Sequence, residues 1–213
     1  KKPQITVIDI SKEAREKCFK LYGVSILSGI TSALSKADVV VLAVKPDDIK
    51  EVSLLLKNQI RPNCLVISVA AGIKINTLTN YFNKNTSIIR AMPNTPALVN
   101  AGTTVITKNF FVNQDQREIA TILFRNVGEI SWINDEDLMD AVTAISGSGP
   151  AYFFLFTEIL EKAGVNLGLP ENLSKELTRN TFIGSATLVK NSDKSLTELR
   201  KNVTSKGGTT EAA

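Results

Sequence analysis

The sequence predicts a doubly wound parallel α/β sheet followed by an all-α domain, on three observations. Short apolar runs at 5–9, 38–44, 65–69 and 87–90 alternate with helical patterns, the βαβ order that builds a parallel sheet with right-handed crossovers. The run VVVLAV (39–44) is apolar at every position and LVISV (65–69) at all but Ser68, the near-continuous pattern of strands covered on both faces. From residue 135 onward the pattern is helical throughout. The domains are accordingly 1–134 and 135–213.

In chain order, Ile5-Thr6-Val7-Ile8-Asp9 is a strand ending in an acid. Ser11 caps a helix over 12–21 and Gly23 ends it, because a side-chain oxygen satisfies the first free N–H groups and glycine takes the left-handed turn. A short strand at 24–26 and a short helix at 31–36 follow. Lys45-Pro46 stops the strand 38–44 and opens a helix over 47–57; Ala70-Ala71-Gly72 closes the strand 65–69 before a helix over 75–82. Strands 102–108 and 129–133 flank a helix over 114–126, and helices at 135–145, 149–167, 171–190 and 195–203 complete the chain. Parallel sheets bind ligands at the carboxyl ends of their strands. Those ends carry Asp9, Val44-Lys45-Pro46, Ala70-Ala71-Gly72 and the run from Ala91 to Pro96.

Composition removes several classes of chemistry. The chain has no histidine, which excludes a Ser-His-Asp triad, an imidazole shuttle and zinc-hydrolase motifs, and no metal site is expected. Cys18 and Cys64 lack ligand-like spacing and read as reduced thiols of a cytoplasmic protein. The net charge of +4 is dispersed, so no nucleic-acid partner is indicated. No run approaches the roughly 20 apolar residues of a membrane span.

The stretch AVTAISGSGPAY (141–152) joins the two parts. Ser148 is a candidate N-cap and Pro150 fits the first turn of a helix, where its missing N–H is no loss. Two readings follow: a seat for an anion such as a carboxylate, or a capped helix–helix turn without a ligand. The apolar positions Phe153, Phe154, Leu155, Phe156 and Ile159 leave the next helix apolar almost all round, which calls for a partner subunit. The tail Thr204-Ser205-Lys206-Gly207-Gly208-Thr209-Thr210 is a second Gly/hydroxyl turn.

With LAVKP (42–46), VAAG (69–72), RAMPNTPALVNAG (90–102) and DAVTAISGSGPAY (140–152), these turns closely resemble the pyrroline-5-carboxylate reductase family over essentially the whole chain. The resemblance implies a Rossmann domain that binds NADPH or NADH and a helical domain that dimerises, as a homodimer or an assembly of dimers. It implies reduction of 1-pyrroline-5-carboxylate to L-proline, the last step of proline biosynthesis. It also implies a strand with a Gly-rich pyrophosphate turn before residue 1 and helices after residue 213, so the sequence reads as truncated at both ends and short of its main pyrophosphate seat. Asp9 and Ser11 would face the adenine ribose. Ala43, Val44, Lys45 and Pro46 would line the nicotinamide half, with Val69, Ala70 and Ala71 opposite and Asn202 reaching in from the helical domain. Glu136, Ser205, Gly207, Gly208, Thr209 and Thr210 would hold the substrate, with Thr210 catalytic and the 146–150 turn lending shape to the pocket. The pattern departs at Lys206, where proline is usual, at Ile30, where asparagine is frequent, and at Leu196 and Lys201. Asp9 favours NADH by repelling a 2′-phosphate, and Lys12 offsets it. A β-hydroxyacid-dehydrogenase type of reductase would need a catalytic lysine between 135 and 161, and none is present. A non-catalytic dinucleotide-binding dimer is the other alternative.

Overall fold

The alternation of β4 (Leu65–Ser68) sets the architecture. Leu65 and Ile67 enter one buried cluster, and Val66 enters another on the opposite face. Successive side chains of a strand point to opposite faces, so this strand is covered on both sides. The computed structural model describes residues 4–30 and 32–212, leaving the side chains of 32 and 33 aside. Thr31, where the sequence starts a short helix, lies outside them; a 3₁₀ turn, Ser32–Lys36, follows. The chain forms two compact units, Lys1–Pro150 and Ala151–Ala213.

In the first unit β3 (Val39–Leu42), β4, β5 (Ser87–Met92), β6 (Gly102–Lys108) and β7 (Gly128–Trp132) form one sheet in that order. Helices α2 (Ile49–Leu56) and α3 (Ile75–Tyr81) cover one face through Ile49, Leu56, Ile75 and Leu78. Helix α4 (Gln114–Arg125) covers the other through Ala120 and Phe124. Asn113 and Gln116 close a reciprocal cap at its start, satisfying two N–H groups that the first turn leaves free.

β1 (Thr6–Ile8) and β2 (Ser25–Leu27) pair in parallel as a separate two-stranded sheet. No described strand lies between β1 and β3 to continue the ladder; Ile8 and Ile30 reach the core beside β3 by packing alone. Between them α1 (Lys12–Tyr22) is capped by the Ser11 side chain and closed by Gly23 at φ 64°, as expected.

Three pairings of the large sheet are parallel, and β5–β6 is antiparallel. The connection over 93–101 holds only a 3₁₀ turn, Thr95–Val99. That is too short for the crossover of a dozen or more residues that parallel strands need. The β6–β7 pair is exceptionally close at its start: Gly128, at φ 149°, sits opposite Gly102 in register.

The predicted helix over 135–145 proves composite. A 3₁₀ turn, Glu136–Leu138, leads into α5 (Met139–Val142) and then a π-helical turn, Thr143–Gly147. Ser148 has helical angles and caps the end of that turn; it is not the extended N-cap the sequence suggests. The chain runs on into α6 (Gly149–Asn166), with Pro150 as its second residue.

In the second unit α6 is followed by α7 (Glu171–Lys190), α8 (Leu196–Asn202) and α9 (Thr209–Ala212). Ser174 donates from Oγ to the Glu161 carbonyl at 2.7 Å. Gly164 leaves room for that hydroxyl. Phe153 and Phe182 stack at 5.9 Å.

A methyl group on Gly128 would run into the Gly102 backbone and force an unfavourable φ. Gly128→Ala should lower stability by roughly 2–4 kcal/mol in urea unfolding; a loss under 0.5 kcal/mol would show that β7 moves freely.

Candidate cofactor and substrate site

At the end of β1 the Asp9 carboxylate accepts the Ser11 N–H at 2.7 Å. Arg15, one turn into α1, donates from Nη1 to the carbonyls of Asp9 (2.6 Å) and Ile10 (3.1 Å). A carboxylate and a guanidinium thus share one turn. Beyond β3 and β4, adjacent strands in register, lie Ala43-Val44-Lys45-Pro46 and Val69-Ala70-Ala71. Ala43, Lys45, Pro46 and Ala71 are exposed, Val44 and Val69 half-buried, and Ala70 buried with its N–H on Ser68 Oγ at 3.3 Å. These residues fit a dinucleotide: an acceptor for ribose hydroxyls, a cation beside it for phosphate, and small side chains for a flat ring.

Glu136 is drawn to the sheet. Its Oε1 accepts the Ile75 N–H at the start of α3 (2.8 Å) and Arg90 Nη1 (3.0 Å). Arg90 is 3% exposed and Glu136 22%, and Asp140 lies 3.8 Å from the other guanidinium nitrogen. Next to this pair Lys74 bridges Asp137 at 2.8 Å. That exposed bridge holds the Asp137 carboxyl below and the Lys74 ammonium above their usual ranges, in both cases through the hydrogen bond between them. The sequence reading missed Arg90 as a buried cation; an arginine inside an otherwise apolar strand was the available signal.

In the second unit Asn202 ends α8, and Ser205, Gly207 and Gly208 form the turn into α9, which begins Thr209-Thr210. Gly207, at φ 71°, donates its N–H to the Glu211 carboxylate, and Gly208 N–H donates to the Ser205 carbonyl at 3.0 Å. A Cβ on Gly208 would collide with Ser205 Oγ. Ser205, Gly207, Gly208, Thr209 and Thr210 are thereby gathered in one turn. Burial raises the Cys64 thiol to about 11, out of reach of thiolate chemistry at neutral pH. Among the described residues no group of His, Cys, Asp or Glu could hold a metal ion, and no helix is long and apolar enough to cross a membrane.

A mostly parallel sheet with an acid and small residues at its strand ends, followed by helices, fits an NAD(P)-dependent oxidoreductase of the Rossmann class. The family models agree: residues 1–72 match one described as NADP oxidoreductase coenzyme F420-dependent, and residues 136–213 match pyrroline-5-carboxylate reductase dimerisation. The chain is 42% identical to the pyrroline-5-carboxylate reductase of Haemophilus influenzae, across 99% of this chain and 78% of that one. It belongs to the pyrroline-5-carboxylate reductase family. The Pseudomonas aeruginosa enzyme is 40% identical over 99% of this chain and 77% of its own. The solved Coxiella burnetii reductase superposes with TM-score 0.87 at 40% identity, covering 98% of this chain and 77% of that one. A Plasmodium falciparum pyrroline carboxylate reductase with NADP bound also gives 0.87, at 35% identity, covering 100% of this chain and 78% of that one.

Glu136→Ala would strand a buried guanidinium and an N–H of α3. Loss of one member of a buried pair costs about 3–5 kcal/mol; the low end is expected here because Asp140 is near Arg90. Chemical unfolding measures it, and an unchanged midpoint would mean that water replaces the carboxylate at no cost.

Proposed function

We propose that this protein reduces the C=N bond of 1-pyrroline-5-carboxylate to give L-proline, the last step of proline biosynthesis, with NADPH or NADH as reductant. The near full-length likeness to pyrroline-5-carboxylate reductases carries this reading. The Asp9 carboxylate and the small residues after β3 and β4 support it. The reduced cofactor supplies a hydride when bound. Ala43, Val44, Lys45, Pro46, Val69, Ala70 and Ala71 flank its ring half, Asp9 and Ser11 take the adenosine ribose, and Asn202 contributes from the helical domain. Ser205, Gly207, Gly208, Thr209 and Thr210 hold the substrate. Glu136 offers only its second oxygen, since Oε1 already accepts two hydrogen bonds.

The chain needs little acid–base equipment, which suits a protein without histidine. The imine nitrogen arrives protonated or takes a proton from the Thr210 hydroxyl or water. The remaining task is orientation: a fixed carboxylate turns one face of the C=N bond toward the donor. We divide the working protein into a cofactor domain, 1–134, and a helical dimerisation and substrate domain, 135–213. Helices α6 and α7 form the homodimer, alone or within a larger assembly of dimers; Tyr152, Phe153, Phe154, Leu155 and Phe156 are each more than half exposed. Two free cysteines support a cytoplasmic protein. Pyrroline-dependent NADPH oxidation by the purified protein tests the reading; its absence with both cofactors overturns it.

Thr210→Val keeps the shape and removes only the hydroxyl. The loss of one charge-assisted hydrogen bond, about 1.5–3 kcal/mol, should lower kcat/KM for the imine by roughly one to two orders of magnitude and leave cofactor affinity in place. Full activity in this variant would reduce Thr210 to a helix-start residue.

Asp9→Ser should move cofactor preference toward NADPH, because it removes a negative charge from the end of β1 where a 2′-phosphate would lie. Direct titration of both cofactors measures this, and equal affinities before and after would remove Asp9 from the site.

A further inference from the structure

Pro150 deprives the turn before it of a donor. In a helix the Ser146 carbonyl would receive the N–H four residues on, and a proline there has none. The backbone just before widens into the π-turn, with the Ser148 N–H on the Thr143 carbonyl at 2.8 Å. π-turns of this kind recur at functional positions. The Ser146 carbonyl is supplied from elsewhere: Asn94 Nδ2 donates to it at 3.1 Å. The other end of the same amide, Oδ1, accepts the Thr103 N–H at 2.8 Å, which fixes which way the amide points. Next in the turn, the Met92 methyl, the end of a flexible side chain, lies against Gly147. Two consecutive residues of the turn thus meet Asn94 and Met92, just beyond β5 and at its carboxyl end.

We propose that Asn94 is a positioning residue for the substrate pocket: its amide stands in for the N–H that Pro150 lacks and holds the 146–150 turn as a pocket wall. Both ends of its amide are engaged by the protein, so it acts through the turn. The assignment rests on the reductase reading above. A free carbonyl served from the sheet lets the turn keep the widened geometry that an ordinary i to i+4 bond would pull tight. Asn94 therefore governs KM for the imine while cofactor affinity and kcat stay near those of the unaltered chain.

Asn94→Asp tests this, since it keeps the acceptor for Thr103 and sets a carboxylate against the Ser146 carbonyl. KM for 1-pyrroline-5-carboxylate should rise about tenfold, the size of one lost hydrogen bond, with kcat within about threefold and the NADPH dissociation constant unchanged. Adding Pro150→Ala returns an N–H to Ser146 and should bring KM back to within about threefold of the starting protein. Hydrogen exchange over 143–152, read by mass spectrometry, reports the same grip without turnover: about tenfold faster in Asn94→Asp and slowed again by Pro150→Ala. Unchanged KM and exchange, a parallel loss of NADPH affinity, or no recovery with Pro150→Ala each overturn the assignment. Should Asn94→Asp fail to fold, Asn94→Ala decides, because it removes the same donor without adding a charge; unaltered KM and exchange there overturn the assignment too. A protein inactive toward the imine sinks the reductase reading instead, and the exchange pattern still settles whether Asn94 holds the turn.

Discussion

A guanidinium removed from water must meet a carboxylate, and in this protein Arg90 meets Glu136. The cost of burying either charge alone is several kcal/mol, so the pair draws together everything attached to it. Arg90 belongs to the middle strand of the sheet, and Glu136 lies just after the last strand. The same carboxylate oxygen caps the start of α3. Three segments far apart in the chain therefore converge on one oxygen atom. From that point the chain has only α5 and the π-turn before it leaves the first unit. Where the 146–150 turn lies above the strand ends follows from this anchor and from the two contacts at Met92 and Asn94.

The helical half adds a different kind of constraint. Its Gly/hydroxyl turn is held by its own backbone and by Glu211, so Ser205, Thr209 and Thr210 are presented together whatever else binds. The close crossing at Gly164 and Ser174 fixes α6 on α7 with a hydrogen bond between side chain and main chain, and Phe153 meets Phe182 of α7, while the apolar residues at the start of α6 stay more than half exposed. Rigid presentation of small polar groups suits a reaction that depends on orienting an imine more than on moving protons through side chains.

Much of the fold was legible because its signals are local. The apolar run of β4 forms a strand buried on both faces, while β3, at the edge of the five-stranded sheet, leaves Val41 exposed; Ser11 with Gly23 brackets α1 within a dozen residues. The family resemblance rested on turns, where residue identity is dictated by backbone geometry, and those stretches lie at strand ends and helix starts as expected. Other features escaped for reasons of distance. Arg90 and Glu136 are remote in sequence, and nothing local announces that one carboxylate will serve both. The antiparallel β6 could have been read from its short connection, which excludes a crossover. The π-turn had a single hint, a proline placed so that Ser146 loses its donor, and the distant Asn94 that answers it is invisible to periodicity. Ser148 reads as an N-cap only if a helix begins there; in the structure one helix passes into the next.

The exposed start of α6 has a geometric corollary. Each helical residue turns the side-chain direction by about 100°, so the five residues from Tyr152 to Phe156 sweep roughly 400° around the axis. A neighbour lying against one flank would leave aromatic rings in water on the other. One flank is already taken by α7, whose Phe182 meets Phe153 at 5.9 Å, and the other rings face outward in several directions. A partner that covers the remaining rings must therefore reach α6 from more than one side, and a single flat face pressed on it would fall short.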